Sequence, residues 1–225
     1  MTKVWRVGTE ANQRLETLGL DPDDLLTPID LAIGDARSCT ALDAPSASAF
    51  IFWSRLNRYF REGVKPKQWL ATNADQILRA INPTRDFALT AVSGSGAIGD
   101  PHGKVRTKNP KGAAFASLVK VNSRLFGPSP QPVIPGLRLA SDDAVHVRAS
   151  AFADMPLWVL LYRRHGEELH AELSLPTDIN CKTVAEWEER IMLEPVPYPG
   201  GPNSLDIFLD EEEDQDDLDI AVDWR

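Results

Sequence analysis

The spacing of apolar positions changes along the chain and divides it into a helical and a strand-rich part. Thr9 can cap a helix running to about Leu18, and Gly19 can close it. Asp21-Pro22 has the cap-then-proline order of a helix start, and Thr27-Pro28 repeats it. Residues 22–38 therefore form one kinked helix, or a short turn followed by a helix from Pro28. A third helix is expected over 45–62, stopped by Gly63, with Phe50, Trp53, Leu56, Asn57 and Phe60 as its core-facing stripe. Period two then takes over. Strands are expected at 76–81 and 87–92 around an Asn82-Pro83 turn. A Gly-rich loop, 93–112, precedes a helix over 113–126 closed by Gly127-Pro128. A Pro-rich linker is expected over 128–136.

The last third alternates again. Val145, Val147 and Ala149 mark a short strand, and 157–163 is apolar on both faces, as a central strand should be. After a turn at 164–167, Leu169, Ala171 and Leu173 face inward while Glu168, His170 and Glu172 face outward; 187–193 adds a further strand. Hairpin-joined strands imply an α+β fold: N-terminal helices packed on one face of a mainly antiparallel sheet of about five or six strands. The expected organisation is one domain over 1–196, helical in 1–63 and sheet-rich in 68–196. A Pro/Gly linker and a disordered acidic tail follow over 197–225.

Charge sharpens this division. Of 225 residues, 33 are acidic and 24 basic, a net charge of −9. Residues 206–225 hold ten of the acids and one base, so the tail alone carries −9 and the body is neutral. A neutral body does not advertise nucleic acid by bulk charge, but a local basic patch still counts. No apolar run approaches a membrane span, and the first residues contain no signal core, so a cytoplasmic protein without a membrane contact is expected. In that compartment Cys39 and Cys181 are free thiols. The four histidines and two cysteines show no metal-ligand spacing, so neither a metal nor a cofactor is expected.

The Gly-rich loop holds the most distinctive chemistry. Gly94, Gly96 and Gly99 spell a formal GxGxxG after a strand, but Asp100, Pro101 and Gly103 prevent the helix that a dinucleotide site requires. Its second half places Lys104, Arg106, Lys108 and Lys111 within eight residues, just before a helix N-terminus. Clustered cations beside unpaired helix N–H groups suit a phosphate or another polyanion. The bland alternative is a solvated loop. Arg55 and Arg58 on the third helix could extend an anionic groove, or simply be a solvated face. Cys39 has no assignable base, and Glu168, His170 and Glu172 form a weak acid–base candidate on an exposed strand face. No catalytic residue is assigned.

The tail mixes acids with apolar anchors at Phe208, Leu209, Ile220 and Trp224, a pattern suited to ordering on a protein partner. Three stretches carry a resemblance: Ser38-Cys39-Thr40 with Asp43-Ala44-Pro45 and the 53–58 helix, the loop end Arg106-Thr107-Lys108-Asn109-Pro110-Lys111-Gly112, and Ala171-Glu172-Leu173-Ser174-Leu175-Pro176. Together they resemble a family of bacterial accessory-genome, mobile-element-associated proteins with no known activity. The resemblance implies a bacterial cytoplasmic setting, with a link to mobile elements or phage defence, and transfers no residue role. The leading expectation is a non-enzymatic protein that binds a polyanion, phosphate group or nucleic acid through the basic loop, with a regulatory acidic tail. Two others stay open: an interaction protein acting through its tail, including by nucleic-acid mimicry, and an enzyme on a phosphorylated substrate. Oligomeric state is not legible.

Overall fold

The computed structural model describes residues 2–127 and 155–199. The strand expected at 145–149, the linker at 128–136 and the tail residues Phe208, Leu209, Ile220 and Trp224 lie outside the described residues. The fold is α+β, as expected. Its elements are β1 (Lys3–Trp5), α1 (Thr9–Thr17), α2 (Pro22–Ala36), α3 (Ala47–Gly63), β2 (Leu70–Thr72), β3 (Arg79–Ile81), β4 (Ala88–Gly96), β5 (Val105–Thr107), α4 (Ala113–Phe126), β6 (Leu157–His165), β7 (Glu168–Asn180), β8 (Thr183–Met192) and β9 (Val196–Pro197).

Among the described residues the sheet has nine strands, in the order β1-β8-β7-β6-β4-β3-β2, with β5 on β4 and β9 on β7. Most pairs are antiparallel; β1–β8 and β4–β6 are parallel. The expected five or six strands fall short because β1, β2, β5 and β9 span only two or three residues, too few to show a period. The chain also stays ordered into the expected linker. Val196 pairs with Leu169, Tyr198 donates its backbone N–H to Glu167, and the Arg164 guanidinium lies 4.5 Å from the Tyr198 ring centroid.

α2 is one continuous helix that contains Pro28. Asp21 and Asp24 form a capping box at its start, and Lys67 bridges both carboxylates at 2.6 and 2.5 Å. On α3 the buried stripe is Phe52, Leu56, Asn57 and Phe60; Phe50 is 63% exposed, which corrects its assignment to the core. Asn57 turns its amide to the Ala91 backbone on β4, both accepting and donating.

The two faces of the sheet are both covered. Leu89, Ala91, Trp158, Leu160, Leu169 and Leu173 pack with α1, α2 and α3. Leu157, Val159 and Leu161 pack on the opposite face with Phe115, Leu118 and Val119 of α4. The expectation of helices on a single face is therefore corrected by α4, and the two-sided apolar run of β6 is what requires it. Asn122 of α4 fixes this contact by bonding Leu157 N–H and C=O and the Pro176 carbonyl.

Candidate functional site: a basic groove beside a folded hairpin

The segment expected as a loop is largely a β-hairpin. β4 pairs with β6 as far as Ser93–Tyr162, then leaves it and pairs with β5 from Gly94–Thr107 to Gly96–Val105. The sequence K-V-R-T-K alternates, and β5 uses that alternation. Val105 and Thr107 are buried, whereas Lys104, Arg106 and Lys108 are exposed. Val105 and Ile98 join the apolar cluster of Val184 and Trp187 on the α4 face. The Trp187 indole N–H donates to the Val105 carbonyl at 3.1 Å, and Thr107 Oγ1 accepts from Val184 N–H at 3.1 Å. Hydrogen bonds and burial thus seat β5 against β8.

The glycines serve this hairpin. Gly96 has φ +86°, and a Cβ there would stand 2.2 Å from the Lys104 carbonyl oxygen. Gly99 has φ +84° and lies against the His170 ring. These positions need glycine for chain reversal and close approach, not for a pyrophosphate.

A buried ion pair holds the tip of the hairpin. Glu172 and Arg190 are 0% and 4% exposed, and the guanidinium binds both carboxylate oxygens, at 2.8 and 2.6 Å. The same carboxylate accepts from Ser174 Oγ and from the Gly99 backbone N–H. Arg190 also donates to the carbonyls of Gly103 and Asp100. Glu172 was expected on an outward, solvated face. It does point away from the α1–α3 face, but the hairpin covers it there. It is therefore an anchor for the loop, and it does not form an acid–base set with Glu168 and His170.

Where β4 leaves β6, a groove of about 1390 Å³ opens. Arg6, Lys104, Arg106, Lys108, Arg163 and Arg190 line it, against one described carboxylate, Glu186. Arg190 is neutralised by Glu172, and Arg163 donates to the Gly96 carbonyl. Arg106 leans on Ser95 Oγ at 3.2 Å, and Arg6 bonds His102 at 3.3 Å. None of Lys104, Arg106 or Lys108 forms an ion pair with a described residue.

A second groove, of about 670 Å³, shares Ser93, Lys108 and Tyr162 with the first. Its walls include Phe50 and Trp53 of α3, and Lys111 with the start of α4. Gly112 precedes α4 and offers no side-chain cap. Lys111 lies over the Phe115 ring, 5.6 Å from its centroid, and burial pushes its ammonium down to about 8. Tyr162, in the floor of both grooves, has its phenol pushed up by burial.

The four cations expected together, Lys104, Arg106, Lys108 and Lys111, do line adjoining walls. Arg55 and Arg58 do not join them. Arg55 pairs with Asp35 at 3.1 Å and Arg58 with Glu62 at 2.9 Å, and neither lines a groove. The expected extension of the groove by these two residues is corrected. Arg6 and Arg163 were missed because only the fold brings them to the hairpin. Cys39 and Cys181 are free and line neither groove. No metal-ligating cluster occurs among the described residues, nor any helix long and apolar enough to cross a membrane. No protein-family model, curated protein or solved structure matches the chain.

Proposed function

We propose that this is a non-enzymatic binding protein whose basic groove holds a polyanion through its phosphate groups. The observation that carries the reading is the alternation of β5. It buries Val105 and Thr107 and sets Lys104, Arg106 and Lys108 along one groove wall, on a hairpin tied down by Glu172 and Arg190. Cations held on a fixed edge bind an anion with less ordering cost than the same cations on a mobile loop. The walls suit holding an anion, since they carry several cations against one described carboxylate, Glu186, and Glu172 is committed to Arg190. The acidic segment 206–225 is a competing counter-charge in this reading. The bacterial, cytoplasmic and mobile-element setting implied by the resemblance belongs to the proposal and adds no residue to it.

The test uses the full chain and a fluorescent abasic phosphodiester oligomer of about 12 units at low salt. Binding that disappears in the Lys104→Ala/Arg106→Ala/Lys108→Ala variant, with its fold intact by circular dichroism, supports the reading. Unchanged binding moves the site elsewhere, and no binding by the unaltered protein removes it. Deleting 203–225 should raise the affinity, and the gain should fade as salt rises.

A further inference from the structure

We infer that the second groove is a base-stacking subsite, and that the polyanion is single-stranded nucleic acid; this rests on the reading of the hairpin groove as the phosphate site. The starting point is Phe50. α3 buries Phe52, Leu56 and Phe60, yet leaves the ring of Phe50 63% exposed on the groove wall. Trp53, one turn on, is tilted 47° to it with ring centroids 5.7 Å apart. Residues three apart share a helix face, so the two rings form one aromatic edge. The same groove is lined by Lys108, Asn109 and Lys111, and by Asp75, whose carboxylate lies 3.7 Å from the Arg79 guanidinium.

Continuity with the basic groove selects the ligand. Lys108 lines both grooves, and its backbone N–H is fixed to Ser93 O at 3.0 Å. A strand whose phosphates follow Lys104, Arg106 and Lys108 runs on into the groove that Phe50 and Trp53 line, because Lys108 belongs to both. A cationic track joined to an aromatic platform is the arrangement by which proteins hold single strands without reading sequence. A duplex keeps its bases stacked on one another and offers the platform no free face. The uncapped start of α4 adds partial positive charge to the same wall but does not carry the inference.

The experiment compares three probes of equal length, about 12 nucleotides, on the full chain at low salt: oligothymidylate, its abasic analogue and a duplex. Oligothymidylate should bind more tightly than either of the others. Phe50→Ala and Trp53→Ala should each lower its affinity by about 5- to 100-fold and leave the abasic analogue unaffected. Because Phe50 is mostly exposed, its variant keeps the test valid if Trp53→Ala loses structure. Equal affinity of the unaltered protein for oligothymidylate and the abasic strand overturns the stacking subsite while leaving the phosphate reading in place. Absence of binding to every probe overturns both.

Discussion

On α3, Arg55 and Arg58 stand over the surface with carboxylates already in place, Asp35 for one and Glu62 for the other. On the β4–β5 hairpin, Lys104, Arg106 and Lys108 point into a groove with Glu186 as its one described carboxylate. In sequence both are runs of bases at short intervals. The difference lies in what each scaffold puts alongside them. A helix sets side chains three and four apart side by side, and i,i+4 Arg58–Glu62 is such a pair. An edge strand sends alternate residues to one side, and here that side carries bases only. Local charge density is thus a poor guide to a binding site; the companion charges supplied by the fold decide.

The sharpest way to break the comparison is to release the hairpin from the sheet. Arg190→Met leaves the Glu172 carboxylate buried without its cation. Removing one partner of a buried pair costs about 3–5 kcal/mol, so a large fall in denaturant midpoint is expected. A midpoint unchanged from that of the unaltered protein would contradict the anchoring role. Next in size is Gly96→Ala. The left-handed backbone and the Lys104 carbonyl both oppose a Cβ, and a loss of about 1–3 kcal/mol is expected in chemical unfolding.

An effect seen only through pH concerns Lys111. Its ordinary value of 10.5 falls to about 8 in the folded protein, so protonation is disfavoured by folding. The cost is fully present below about pH 8 and is relieved as pH rises toward 10.5. Stability from this group therefore rises with pH across that window, and Lys111→Met should remove the rise. Melting curves between about pH 8 and 10.5, the same two values, check it. The smallest effect is expected on α3, where Arg58→Ala should leave the melting temperature unchanged, since exposed pairs of this kind contribute little.

Long, regular elements were the legible part of the fold. α4 matches its expected span, and the two-sided apolar run of β6 marks a central strand. The hairpin 93–112 was hidden by its glycines and prolines, which read as loop punctuation, although K-V-R-T-K already alternates. Glu172 was read correctly as facing away from Leu169, Ala171 and Leu173. What lay over that face could not be read, because Gly99, Gly103 and Arg190 reach it from distant parts of the chain. Lys104, Arg106, Lys108 and Lys111 were visible as a local cluster; Arg6, Arg163 and the aromatic pair became part of the site only through packing. Phe50 was misplaced because one residue's phase decides which ring a helix buries, and Phe52 holds that place.

The measurement that bears most directly on the distinction between the two basic clusters is the salt dependence of oligonucleotide binding. With Lys104, Arg106, Lys108 and Lys111 on phosphates, log affinity should fall against log salt with a slope near ~−3. The Lys104→Ala/Arg106→Ala/Lys108→Ala variant should lose most of that slope, and the Arg55→Ala/Arg58→Ala variant should keep all of it. Equal loss of slope in the two variants would contradict the account.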